Sequence, residues 1–186
     1  MKLVTDISYK DELKAAGVYR HYSDMITLSS GIKSHHKYDV EVLGGHPDLL
    51  KKTAKMLASD IDSRINAVAS TGRGGSMIAY AVAFYKNLKV TIVKEKDDPR
   101  TKDDLGCYTG LQKTDNYLIV DDVLTTGTTF HYLLKAIRAY GANVVQARAV
   151  LKRGDIFLRL KGETSDVSSI EKVPFDYLLD AEDLQK

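Results

Sequence analysis

Apolar residues recur along this chain in two rhythms. Short runs rich in β-branched residues stand at Ile65–Ala69, Lys89–Val93, Tyr117–Val120 and Val144–Leu151, the pattern of strands buried in a parallel sheet. Between them the apolar positions repeat every three or four residues: Leu50, Ala54, Leu57, Ala58, Ile61; Met77, Ile78, Ala81, Val82, Tyr85; Phe130, Leu133, Leu134, Ile137. That spacing predicts helices with one apolar stripe. Pro47 and Asp48 open the first of them, and Gly141 stops the last. Strands alternating with helices predict an α/β fold, a parallel sheet with helices on both faces. Upstream, residues 8–17 predict a short amphipathic helix with Ser8 as N-cap, Leu13 and Ala16 inward and Gly17 as stop. Met25–Ser34 runs from an apolar strand start through Ser-Ser-Gly to a lysine and predicts a hairpin. On Val144–Leu151, the residues Val145, Ala147, Ala149 and Leu151 are expected to share a face. Residues 156–186 are expected to form a short tail element that docks on the core through Pro174, Phe175, Tyr177, Leu178 and Leu179.

At 186 residues, 44% hydrophobic and 28% charged, the chain fits one soluble globular domain with a sizeable core. A net charge of +2 argues for neither nucleic acid nor an acidic membrane surface as partner. The single cysteine, Cys107, cannot form an internal disulfide and suits a reducing cytoplasm. The N-terminal MKLVTDISYKDELK has acids where a secretory signal needs an apolar core, and no apolar run reaches the length of a membrane span. Neither repeats nor low-complexity tracts are present.

The chemistry concentrates in Asn116–Phe130. An apolar strand runs into Asp121 and Asp122, then into Thr125, Thr126, Gly127, Thr128 and Thr129, and then into a helix. Free N–H groups and the positive dipole end at a helix start favour an anion, and the threonine hydroxyls add donors. A bare phosphate would be repelled by the two acids, so the pattern points to a ligand that also carries hydroxyls, a metal ion, or both: a phosphorylated sugar. Two acids that merely cap the next helix would explain a lone Asp-Asp pair better than this whole string. A second cradle, Thr71-Gly72-Arg73-Gly74-Gly75, lies one strand–helix unit earlier; a glycine-rich turn needs no ligand, so taken alone it leaves both readings open. Lys94–Gly110 has no apolar period, and its charges alone would suit a solvated surface. Lys152-Arg153-Gly154-Asp155 ends the last strand. The adjacent His35 and His36 point to opposite faces of a strand and are expected in solvent.

Leu118–Thr128, LIVDDVLTTGT, resembles the phosphoribosyl pyrophosphate (PRPP) motif of the type I phosphoribosyltransferases. Thr27–Ser34, TLSSGIKS, followed by Tyr38 and Asp39, is similar to the N-terminal segment of the orotate members, and Lys152–Asp155 to a motif of theirs whose arginine contacts the base. This chain departs from their pattern in having His35 in place of proline and Lys37 in place of an aromatic residue, and Ser29 stands where a bacterial subset has a base-contacting lysine. Gly72–Gly75 fits the pyrophosphate loop, in wording closer to the purine enzymes. Lys94–Gly110 falls at the flexible catalytic loop, with Val93 where an arginine is usual and Asp104 nearest the missing histidine.

The resemblance implies a type I phosphoribosyltransferase fold filling residues 1–186 as a single domain. Its core would span about 46–155, under a hood of about 1–45 with 156–186 as a second candidate piece. It implies transfer of phosphoribose from PRPP to orotate, with Mg²⁺ as cofactor held through PRPP and water rather than by protein ligands. Asp121 and Asp122 would hold the ribose. Thr125–Thr129 would hold the 5-phosphate, and Thr71, Gly72, Arg73, Gly74 and Gly75 the pyrophosphate. Lys94, Lys96, Arg100 and Lys102 would act in catalysis, and Lys33, Tyr38 and Arg153 would meet the base. A cytoplasmic homodimer with a shared active site is the expected assembly. A purine phosphoribosyltransferase, favoured by the Gly-Arg-Gly-Gly run, and a PRPP-binding regulator without turnover are the competing readings.

Overall fold

The computed structural model describes residues 7–27, 33–93, 111–154 and 173–186. In chain order these form α1 (Ile7–Ala15), the antiparallel pair β1 (Tyr19–Thr27) and β2 (Lys33–Tyr38), and a 3₁₀ segment at Val40–Gly45. Next come α2 (Pro47–Leu57), β3 (Ala67–Ser70), α3 (Arg73–Lys86), β4 (Lys89–Ile92), β5 (Asn116–Leu124) and α4 (Thr128–Ala139). The chain closes with β6 (Asn143–Lys152), β7 (Phe175–Asp180) and a 3₁₀ turn at Ala181–Gln185.

Strands β3 to β7 make one parallel sheet in the order β4-β3-β5-β6-β7. Its two faces are covered separately, as period-two strands require. One face packs Val68, Leu118 and Val120 against Tyr9, Leu13, Leu43, Leu57, Ile78 and Val82 from α1, the 3₁₀ segment, α2 and α3. The other packs Tyr117, Ile119 and Ala147 against Phe130, Leu133, Leu134 and Ile137 of α4. The α/β architecture and the inward stripe of α4 are as expected. Gly17 and Gly141, at φ +81° and +87°, end α1 and α4. In both cases the glycine N–H and the next N–H bond back into the last turn, the arrangement a left-handed residue makes possible.

Four expectations need correction. Helix α1 begins at Ile7, so Ser8 lies inside its first turn rather than before it. Helix α2 stops at Leu57, ahead of Ile61, because Asp60 turns left-handed at φ +50° and the buried Arg148 takes the carbonyls of Leu57, Ser59 and Asp60. Tyr85 is exposed, with Tyr80 and Phe84, on the outer side of α3. Val145 and Leu151 leave the face of Ala147 and Ala149 and pack on the α2–α3 side; for Val145 the reason is that the pairing of β5 with β6 slips by one between Tyr117 and Leu118 and leaves it out of register. The expected tail element docks on the core as β7, an edge strand of the main sheet beside β6. The 3₁₀ turn after it does reach the N-terminal part, packing Ala181 and Leu184 into the cluster that holds Tyr9 and Leu13.

Candidate active site

The chain leaves β3 to one side for β4 and then crosses back to β5 on the other. Reversal of strand order at β3/β5 opens a crevice beyond the strand carboxyl ends, where α/β sheets bind ligands. Ser70 marks the split: its hydroxyl donates to the Val120 carbonyl at 2.7 Å.

Two helices start at this crevice, and both start on glycine. Gly72 caps α3 at φ +67° and Gly127 caps α4 at φ +78°. Neither cap offers a side-chain oxygen to the first-turn N–H groups, so two positive helix ends face the same space with donors to spare. Thr126 and Thr128 join hydroxyls at 2.9 Å across the second cap. Thr125 and Thr129 are half-buried beside them. At the first cap the Thr71 hydroxyl is buried with no hydrogen-bond partner, a polar group that a ligand oxygen would satisfy.

The acid pair lies between the two helix starts. Strand β5 does not end before Asp121 but continues through it to Leu124, because Val123 and Leu124 keep pairing with Leu151 and Lys152. Asp121 is 8% exposed; its Oδ1 accepts the Asp122 N–H at 2.9 Å. Burial, with the Asp122 carboxylate as second cause, pushes its carboxyl well above the usual range. Asp122 is half-buried, and its Oδ1 accepts the Val123 N–H at 2.8 Å.

The run Arg73-Gly74-Gly75, expected as a loop, is the first turn of α3. Its glycines are explained by the acids. A Cβ on Gly74 would land in the Asp122 carboxylate, 2.8 Å from its Cγ, and one on Gly75 would lie 2.5 Å from the Ser70 hydroxyl and 3.2 Å from Asp121 Oδ1. The missing side chains let α3 press its N-terminal turn onto the pair. Arg73 itself is 88% exposed and stands 3.5 Å from Glu41 of the 3₁₀ segment.

On the other flank, β6 is followed by Arg153, whose N–H bonds the Leu124 carbonyl at 2.9 Å. Its guanidinium donates to Ser34 at 2.9 Å and lies 5.4 Å from the centroid of the Tyr38 ring. The structure thus brings together Tyr38 and Arg153, two of the three residues expected at a base. Lys33 falls on the alternate side of β2 from Ser34 and is exposed. Lys94, Lys96, Arg100 and Lys102, and the Ser29-Ser30-Gly31 turn, lie outside the described residues.

Sequence reasoning missed Ser34, Ser70, Glu41 and Gln185. Ser34 sits inside a motif already singled out, and Ser70 directly precedes one. Glu41 and Gln185 carry no local signal, since they reach the site only through the tertiary fold. Among the described residues no group of three or more His, Cys, Asp and Glu could hold a metal, and no helix is long and apolar enough to cross a membrane. Two acids beside two helix N-termini suit a hydrated cation that arrives on phosphate and hydroxyl oxygens.

Comparison with known proteins agrees with this geometry. The family model for the phosphoribosyl transferase domain matches residues 40–177. The chain is 31% identical over 177 residues to the orotate phosphoribosyltransferase of Methanosarcina mazei, covering 94% of this chain and 88% of that one. It is also 28% identical over 139 residues to the hypoxanthine/guanine phosphoribosyltransferase of Methanococcus voltae, covering 68% and 74%. The crystal structure of orotate phosphoribosyltransferase from Aeropyrum pernix superposes with a TM-score of 0.70 at 21% identity, over 94% of each chain, a likeness of fold.

Proposed function

We propose that this chain, which belongs to the phosphoribosyltransferase domain family, moves phosphoribose from PRPP to orotate, giving orotidine 5′-phosphate and pyrophosphate. That it is a pentosyltransferase of the orotate-enzyme-like kind follows from the family match and the relatives. The choice of base is the proposal. One observation carries it: Arg153 and Tyr38 form a cation and an aromatic face at the end of β6, the strand paired with the one that bears the acid pair. A guanidinium fork pairs two-pronged with a carboxylate or with ring oxygens, and an aromatic ring packs on a planar base.

In this reading the turn Thr125–Thr129 holds the 5-phosphate and the donors of Thr71–Gly75 hold the pyrophosphate, with Arg73 at the rim. Asp122, the more open of the pair, and Asp121 behind it take the ribose hydroxyls. The bond from ribose C1 to pyrophosphate breaks, a bond from C1 to a pyrimidine nitrogen forms, and the base gives up its ring proton. The ribose passes through a cationic, oxocarbenium-like state, so fixed negative charge beside it and fixed positive charge beside the leaving group do the catalytic work. Mg²⁺, when bound with PRPP, would supply charge for the pyrophosphate oxygens. Lys94, Lys96, Arg100 and Lys102 are proposed to add cations there. The setting proposed is the cytoplasm.

Initial rates with orotate, uracil, hypoxanthine, guanine and xanthine, each with PRPP and Mg²⁺, test the reading. Orotate is expected to be consumed and the others not. A purine turned over in preference would instead support the second reading, which rests on the Gly72–Gly75 run and the hypoxanthine/guanine relative.

The enzyme is further proposed to be a homodimer with a shared active site. Tyr80 and Phe84 stand 53% and 94% exposed one turn apart on α3, with the partly buried Met77 and Ala81 completing an apolar stripe. Such a helix face pairs readily with its own copy across a two-fold axis.

A further inference from the structure

Tyr38 is held from three sides. Arg153 lies over its ring at 5.4 Å. Tyr19 packs tilted against it, with ring centroids 5.6 Å apart. The third contact comes from the far end of the chain: the Gln185 side-chain amide donates to the Tyr38 hydroxyl oxygen at 2.5 Å. Gln185 is itself exposed, but its neighbour Leu184 and the earlier Ala181 are fully buried. The turn that carries Gln185 is therefore anchored in the core, and the amide is presented from a fixed base. Tyr38 is in turn only half-buried and sits at the last position of β2, where a ring without that contact could turn about its side-chain bonds.

Resting on the reading of Tyr38 and Arg153 as the base subsite, we infer that Gln185 is a positioning residue of that subsite. By fixing the phenol oxygen it sets the plane of the Tyr38 ring. Through the ring face it sets the direction of the Arg153 fork, whose other anchor is Ser34. The closing turn Ala181–Gln185 is then part of the specificity apparatus, although it touches neither the acid pair nor the helix N-termini. A single neutral hydrogen bond is enough for this task, since a planar base needs both ring and fork at one angle.

A double-mutant cycle tests the inference, using the base preferred in the rate panel. Gln185→Leu keeps an apolar stem of similar bulk and removes the donor; Tyr38→Phe removes the acceptor. Each is expected to raise KM for the base about threefold to tenfold, the order of one net hydrogen bond. For Gln185→Leu, kcat, KM for PRPP and thermal midpoint should stay near wild type. The double variant should be no worse than either single, because the two changes delete the same bond. An unchanged base KM in Gln185→Leu, a parallel rise in the KM of both substrates, or additive single effects would overturn the inference. Arg153→Ala distinguishes this from failure of the underlying reading. If it too leaves the base KM unchanged, the subsite itself is misplaced and both fall. If it raises KM while Gln185→Leu does not, only the role of Gln185 falls.

Discussion

Asp121 places a carboxyl where water hardly reaches, with a second acid as its neighbour. Both causes disfavour its charge, and the folded state holds its proton to a higher pH than the unfolded chain, whose aspartates titrate at about 3.9. Where the folded state binds more protons, stability falls as pH rises. The deficit is absent below about pH 4, grows up to the raised folded value and is constant above it. Asp121→Asn removes the ionisable group while keeping an oxygen for the Asp122 N–H. It should therefore be more stable than wild type at pH 7 to 8 and equal to it near pH 4. Urea unfolding at the two pH values checks this. Turnover should fall by roughly 10²-fold, as for other preorganised polar groups at a reacting centre; a variant both less stable and fully active would show that the acid is a structural cap. The glycines facing the pair give a second expectation. Gly74→Ala must displace Asp122, so PRPP affinity and turnover should both drop, with a stability loss of about 1–3 kcal/mol from overpacking, read by PRPP titration and urea unfolding. Ser76→Ala on the same helix is not an adequate control, because the Ser76 hydroxyl bonds the Gly72 carbonyl at the cap.

At the scale of elements, the pieces that read clearly from sequence are those whose apolar period is unbroken. Phe130, Leu133, Leu134 and Ile137 declare α4, and Tyr117–Val120 declares the centre of β5, because their surroundings are apolar on the sides that the period predicts. The features that escaped depend on contacts distant in sequence. Arg73–Gly75 reads as loop because glycine is a poor helix former, yet the acids of β5 leave room for nothing larger. Val145 reads as facing Ala147 because no residue announces a slipped register. Arg148, a charge in the middle of an apolar strand, reads as an anomaly until α2 arrives. Its guanidinium donates to Leu57 at 2.8 Å, to Asp60 at 3.2 Å and to Ser59, and stands 3.7 Å from Asp176. These are carbonyls that a helix end leaves unsatisfied, collected by a positive charge that suits the negative end of the dipole. Burial lowers the Arg148 pKa, with Asp176 and Asp60 opposing that change. Arg148→Met should cost about 2–4 kcal/mol, since it strands several buried acceptors at once. A shifted urea midpoint with kcat and both KM values retained at low temperature is the expected result. Loss of activity in protein that remains folded would mean that β6 relays strain to Arg153.

At the scale of the whole molecule, the sheet order gathers the acid pair and both helix N-termini at one crevice, and two segments far apart in sequence flank it. The hairpin β1–β2 is tied to the body by Arg153 on Ser34 and Tyr38, and by Gln185 from the last turn. The site's polar floor was legible because motif and crevice coincide; its roof was only partly so, because Gln185 enters from the chain's end without a motif. What remains outside the single chain is the stripe on α3. An aromatic side chain as exposed as Phe84, with Tyr80 one turn before it, is a large apolar surface to leave in water. A second copy packed along α3 would cover it. It would also brace the helix whose first turn rests on Asp122, which links assembly to activity. Phe84→Glu puts like charges face to face across a two-fold axis while changing nothing in the core. Sedimentation at micromolar concentration is expected to give a dimer for wild type and a monomer for this variant. Thermal midpoint should shift little beyond the change due to dissociation, and specific activity should fall at least tenfold if the site is shared. Wild type that sediments as a monomer removes the dimer altogether, whereas a monomeric variant of full activity keeps the dimer and removes the sharing.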